Sequence, residues 1–275
     1  MSEGGVNGST PTLRQRILRK ELTVGSWLSF GFTPVAEMML RAGFDWLVID
    51  LEHTGIGTFD AFQMIQVIGL GGGVPLVRVG HNHPLLVKRA MDADAHGVVV
   101  PMVNTAEQAR QAVDAMRYPP QGSRGAGLSR AQGYGLEFER HRAWAEAEAV
   151  LIVQIEHVDA VANLEEILAV EGVDGFIVGP YDLSGSLGRP GDFEHPEVAR
   201  ALDEVRRVAV DGPRCGGFHV VHSDAALLER RIGEGYRFIA YGDDMVFLAE
   251  KLRDEAEQVA GVRERAMAAG ERVAG

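Results

Sequence analysis

Glu156 and Asp182 each follow a short apolar run, Val150 to Ile155 and Gly175 to Val178, with one helical stretch between them. If those runs are neighbouring parallel strands, the two acids stand at consecutive strand ends. Bare carboxylates so close would repel, and one pKa would rise. A divalent cation removes the repulsion, and an all-oxygen site with open positions suits Mg2+, Mn2+ or Co2+. Each acid alone could equally cap a helix or pair with an arginine; the metal reading rests on the two together. Arg78 lies between Val77 and Val79 in another apolar run, where a guanidinium is costly unless paired. Aimed inward, it could grip a carboxylate or an enolate oxygen; the alternative is an internal salt bridge to Asp50 or Glu52. His53 comes directly after Asp50-Leu51-Glu52 and is a candidate general base, or simply a hydrogen-bonding loop residue. His219 sits inside the run Cys215 to Val220, whereas the other seven histidines have no comparable setting and are read as structural or solvated. The three lysines, Lys20, Lys88 and Lys251, all fall in helical stretches. A Schiff base needs a desolvated amine inside the fold. If a keto acid serves here as a carbon nucleophile, a metal must polarise its carbonyl.

These residues become a site only if the chain places them on one rim. Short β-branched runs alternate with amphipathic stretches along the whole chain, the pattern of parallel strands with crossover helices. Strands are expected at Val24 to Phe30, Trp46 to Asp50, Pro75 to Val79, Gly97 to Val103, Val150 to Ile155, Gly175 to Val178, Cys215 to Val220 and Phe238 to Tyr241. A leading helix spans Thr12 to Glu21. Crossover helices follow at Thr33 (as N-cap, with Pro34 at N1) to Gly43, Thr58 to Leu70, Pro84 to Asp92, Thr105 to Arg117, Val158 to Ala169 and Pro196 to Val210. A further helix begins after Ser223-Asp224, and the last runs from Asp244 to Ala269. Tyr118 to Phe138 reads as a long irregular segment, of the kind usually tied to function. Eight such units in one chain point to an α/β fold, a (β/α)8 TIM barrel with a leading N-terminal helix. In barrels of this kind active sites gather where strands end. Gly71-Gly72-Gly73 precedes a strand, so it does not match a dinucleotide-binding turn.

At 275 residues the chain has the length of a single barrel, and residues 1–11 read as a disordered leader before one catalytic domain over 12–275. The opening stretch lacks the basic start and apolar run of a signal peptide. A lone Cys215 excludes a disulfide framework and fits a reducing cytoplasm. The net charge of −12 argues against nucleic-acid or anionic-membrane partners.

With these residues placed, the sequence resembles the HpcH/HpaI aldolase family of class II pyruvate aldolases, like 4-hydroxy-2-oxoheptanedioate aldolase, from Leu13 to about Ala260. The carriers are Ala42 to Trp46 leading into Ile49 to His53, Val77-Arg78-Val79, Val100 to Val103, Arg117 to Pro120 with Gly122 to Gly125, Val153 to Glu156, and Gly172 to Gly175 through Gly179 to Ser184. The resemblance implies that Glu156 and Asp182 ligate the metal, with no organic cofactor, and that Gln154 supports it. It also implies that Arg78 stabilises the enolate oxygen and that His53 moves the proton. Asp92, from a neighbouring subunit, is expected to pair with that histidine. Backbone N–H groups around Tyr181 and Asp182 would hold the substrate carboxylate. The implied substrates are pyruvate or oxaloacetate plus an aldehyde, joined into 4-hydroxy-2-oxo acids, with oxaloacetate decarboxylation as a side activity. A macrophomate-synthase-like decarboxylase that couples the enolate to another acceptor is the alternative. The implied assembly is a homohexamer, a trimer of dimers, with the last barrel helix exchanged between subunits. Two departures concern the acceptor: His219 stands where aliphatic residues are expected and could face the aldehyde, and Leu128 to Phe138 does not match closely.

Overall fold

A computed structural model of the protein describes residues 10–273, with side chains through residue 268. The leader expected over residues 1–11 falls almost wholly outside the described residues. Eight parallel strands close into a barrel in sequence order: β1 (Thr23–Leu28), β2 (Leu47–Asp50), β3 (Pro75–Arg78), β4 (Gly97–Val100), β5 (Val150–Ile155), β6 (Gly175–Val178), β7 (Cys215–Val220) and β8 (Phe238–Asp243). The helices between them are α1 (Leu13–Leu18), α2 (Thr33–Arg41), α3 (Thr58–Leu70), α4 (Pro84–Asp92), α5 (Ala106–Met116), α6 (Phe138–Glu148), α7 (Val158–Ala162), α8 (Leu164–Leu168), α9 (Pro180–Ser186), α10 (Pro196–Asp211), α11 (Ala225–Gly233) and α12 (Asp244–Val273).

Alternation along each strand divides the apolar residues into two cores. Leu47, Ile49, Val77, Val98, Leu151 and Val153 face outward and pack against the helices. Val48, Leu76, Val99, Ile152, Ile177 and Ala240 fill the barrel interior. Trp46 lies inside as well, fully buried and stacked on Phe238 at 4.1 Å between ring centroids. It fits because β1 offers Gly25 beside it, where a Cβ would stand 2.0 Å from the indole. At the base, α1 pushes Leu13 and Ile17 against this inner core. The same two-residue period carries Asp50, Arg78, Gln154 and His219 to the inward side of the strand ends.

Several elements differ from the sequence expectation. Thr33 is the first helical residue of α2 rather than its cap; Phe32 takes the cap position, without a side-chain hydrogen bond. The expected helix over Val158 to Ala169 is broken at Asn163 into α7 and α8. The segment Tyr118 to Phe138 contains a 3-10 turn at Arg130–Gln132, and α6 follows it. The loop after β6 contains α9, with Pro180 at its start and Asp182 in its first turn.

Candidate active site

The register pairs Asp50 directly with Arg78 across β2 and β3. Their side chains meet in a two-pronged contact, Arg78 Nε to Asp50 Oδ1 at 2.8 Å and Nη2 to Oδ2 at 2.7 Å. Nη1 points toward Glu52 Oε2 at 3.4 Å, too loosely aligned for a hydrogen bond. The internal salt bridge considered from the sequence therefore exists, with two guanidinium nitrogens hydrogen-bonded to Asp50 and the third paired more loosely with Glu52. Burial pushes the Asp50 carboxyl up, but the Arg78 hydrogen bond and charge outweigh it and hold the pKa below the usual range. For Glu52 burial wins, with Asp50 and Asp182 adding repulsion, and its pKa is raised. The guanidinium also lies over the Trp27 ring, 4.4 Å from its centroid.

Glu156 follows β5 and is 3% exposed. Its Oε1 accepts the Met102 N–H at 2.7 Å, and its Oε2 accepts from Gln154 Nε2. Both donors are neutral. Burial, opposed by the Met102 N–H and reinforced by Glu52 and Asp182, pushes its pKa up to about 7. Asp182 stands at the mouth on α9, exposed, and lines one pocket of about 100 Å3 with Trp27, Arg78, Gln154, Tyr181 and His219. Gly179 makes the approach possible, since a Cβ there would lie 2.9 Å from Glu156 Oε2.

The donor set fits a hard divalent cation. Glu156 and Asp182 repel each other across the mouth, the nearby Arg78 is taken up by Asp50, and Gln154 Oε1 is buried without a partner. Among the described residues no group of three or more His, Cys, Asp and Glu forms a closed metal cage. Two protein oxygens leave the remaining positions to water and substrate, as an open catalytic site requires.

His53 is near but not engaged: its side chain is 63% exposed, and Nε2 lies 3.7 Å from Glu52 Oε2. Asp92 is not brought to this mouth by its own chain. It ends α4, which runs back from β3 toward the barrel base, and it accepts a 2.6 Å hydrogen bond from Arg124 Nη2. No lysine ends a strand: Lys20 sits in the turn after α1 and donates to the Gly212 carbonyl, while Lys88 and Lys251 lie on α4 and α12. His83, His157 and His195 each accept a backbone N–H at a helix start, which agrees with their structural reading.

Sequence reasoning missed Trp27 and Met102. Trp27 could have been found from its inward parity at the end of β1. Met102 acts through its backbone, held at a φ of 54° that no residue type announces.

A family profile described as HpcH/HpaI aldolase/citrate lyase matches residues 24–250. The chain is 40% identical over 242 residues to a 2-keto-3-deoxy-L-rhamnonate aldolase from Klebsiella pneumoniae, covering 87% of this chain and 89% of the relative. The corresponding enzyme of Escherichia coli K12 is 38% identical over 242 residues, with the same two coverages. Among solved structures, an HpcH/HpaI aldolase/citrate lyase family protein from Burkholderia cenocepacia superposes with a TM-score of 0.85 at 35% identity, over 90% of this chain and 98% of that one.

Proposed function

The chain belongs to the HpcH/HpaI aldolase/citrate lyase family, and from that premise we propose a divalent-metal-dependent aldolase that cleaves or forms 4-hydroxy-2-oxo acids. The observation that carries this reading is Glu156, a buried carboxylate held by neutral donors, with further acids at its side. Glu156 and Asp182 would hold Mg2+, Mn2+ or Co2+. When bound, the ion supplies Lewis-acid polarisation of the substrate's keto oxygen.

In the cleavage direction the C3–C4 bond breaks and its electron pair stays on C3, giving the enolate of pyruvate. The proton of the 4-hydroxyl leaves, C4 becomes the aldehyde carbon, and C3 takes a proton to become the methyl group. Arg78 is suited to the oxygen where negative charge develops, because Asp50 fixes its plane and leaves Nη1 with only a loose 3.4 Å ion pair to Glu52. Gln154 holds Glu156 in place, and the backbone N–H groups of Tyr181 and Asp182 would receive the substrate carboxylate. His53 moves the proton, and its exposure leaves room for a partner from outside the chain. Asp92 of a neighbouring copy would be that partner in a homohexamer. Support for such an assembly comes from α12, whose Leu248, Leu252, Val259 and Val262 are each about half exposed along a 30-residue helix. Loss of CO2 from oxaloacetate yields the same enolate, so decarboxylation is expected as a side activity.

The test is exchange of the pyruvate methyl protons in deuterated water, with and without EDTA. Exchange is expected with metal and should disappear on chelation. Full exchange after complete metal removal would overturn the proposal.

A further inference from the structure

Asp50 holds the Arg78 guanidinium by its edge, and Trp27 supports its face. The support of Trp27 comes in turn from the far end of the chain. Trp27 is 4% exposed and is the last residue but one of β1. It also stacks on His219, 5.3 Å between ring centroids, and His219 Nε2 donates to the Gly242 carbonyl at 3.0 Å. The β1–β8 ladder slips between Gly25 and Trp27. Past Trp27 two carboxylates tie the chain to the end of β8 and the start of α12. The Ser29 N–H donates to Asp244 Oδ1 at 2.8 Å and the Phe30 N–H to Asp244 Oδ2 at 3.1 Å, while Ser29 Oγ donates to Asp243 Oδ2.

Asp244 is not needed as a helix cap. It is the first residue of α12, and Asp243 Oδ1 already accepts the Met245 N–H at 2.8 Å, as an N-cap does. Asp244 accepts that N–H too, at 2.9 Å, but its other bonds cross to the end of β1. It is 4% exposed, and every hydrogen bond it accepts comes from a backbone N–H. Burial pushes its carboxyl up to about 6 against those bonds, with Asp243 adding repulsion. A carboxylate is costly to keep there. What it secures is the pair of N–H groups directly after Trp27-Leu28. We propose that Asp244 is a positioning residue for enolate formation: by clamping the chain just beyond Trp27 it keeps the indole against Arg78, and so keeps the guanidinium on the oxygen where charge develops. This rests on the aldolase reading above. Pyruvate carries little charge on that oxygen and its enolate a full one, so a tilted guanidinium costs the enolate more than the ground state.

The test uses the metal-loaded full chain, with rates expressed per folded, metal-containing site. Asp244→Ala should lower kcat for pyruvate proton exchange about tenfold or more, while KM for pyruvate moves less than about threefold. Affinity for oxalate, a planar dianion shaped like the enolate, should fall by a similar factor in calorimetry. Asp244→Asn keeps one oxygen for the Ser29 and Phe30 N–H groups and should recover part of both losses; it also serves if the alanine variant does not fold. A double-mutant cycle reads the route through Trp27: in a Trp27→Leu chain, Asp244→Ala should add little further loss. The proposal falls if kcat and oxalate affinity stay at wild-type levels in Asp244→Ala, or in Asp244→Asn where the alanine variant does not fold. It falls equally if the Asp244 and Trp27 losses simply multiply. Wild-type exchange with unchanged variants removes this inference alone, whereas absent exchange in wild type removes the aldolase reading itself.

Discussion

Asp174 at the base of the barrel and Glu156 at its mouth are both buried acids that begin or end strands, with both oxygens hydrogen-bonded. Asp174 receives Arg14 Nε at 2.9 Å on one oxygen and the Leu151 N–H at 2.9 Å on the other, so a cation closes its charge within the chain. Around it Arg117 donates to the carbonyls of Ala145, Glu146 and Ala149. Glu156 receives only neutral donors; Glu52 and Asp182 beside it carry its own sign, and the one cation that reaches it, Arg78, is already gripped by Asp50. The base spends its polar groups on one another and is finished when the chain folds. The mouth keeps an imbalance that something from outside must complete. Buried charge thus carries opposite meanings at the two ends, and the presence or absence of an internal counter-ion separates them.

That contrast can be broken by exchanging the consequences. Glu156→Gln should lower proton exchange and aldol turnover by about 10^3-fold or more, the scale of losing a principal electrostatic group. The same variant should melt no lower than wild type in EDTA, because it removes an uncompensated buried charge. A clear loss of thermal stability in Glu156→Gln would place Glu156 with the structural acids. Arg78→Ala should cost about 10^2- to 10^3-fold in turnover while metal content, read by elemental analysis, stays at the wild-type level. Asp174→Asn inverts the pattern: roughly 3 kcal/mol of stability is lost in urea unfolding because Arg14 is left facing a neutral group. Its kcat should hold within a few-fold, and a collapse of kcat at full folding would contradict a purely structural base.

The smallest effect concerns the flank. His141 on α6 is buried, packed between Tyr118 and Trp144, with Nε2 unpartnered. Burial, aided by the Arg124 charge, depresses its pKa to about 4. Because the folded value lies below the unfolded value of about 6.5, its contribution is complete above that pH and is lost as pH falls toward 4. About 1 to 2 kcal/mol should disappear by pH 5, and His141→Phe should flatten that part of the stability profile, measured by chemical denaturation at each pH.

Strand and site legibility came from the same source, the period of two. Runs such as Val150 to Ile155 and Cys215 to Val220 are apolar except at Gln154 and His219, as buried parallel strands are away from a site, and their bounds match the structure. The parity that fills the interior with Val48, Leu76 and Ile152 also aims Asp50, Arg78, Gln154 and His219 at the mouth. What escaped was set by tertiary packing. The α6 sequence Phe-Glu-Arg-His-Arg-Ala-Trp-Ala-Glu-Ala-Glu has charges on most of its surface and buries only His141 and Ala145, so no apolar stripe marks it. Pro180 suits the first turn of α9, but the short segment's Gly and Ser content gives it no helical pattern in the sequence. Asp92 was placed from resemblance, and a single chain has no means of carrying it to the mouth.

The placement of the three tryptophans gives the molecule built-in optical probes for separate layers. Trp46 is sealed in the interior against Phe238, so its emission should report barrel integrity and nothing that binds. Trp144 sits on the flank against His96 and His141, where imidazole protonation should quench it. Trp27 lies beneath the Arg78 guanidinium at the mouth, where arrival of an anion would shift its emission. Single-tryptophan versions of the chain would let ligand binding, acid loosening of the flank and global unfolding be followed as three independent signals.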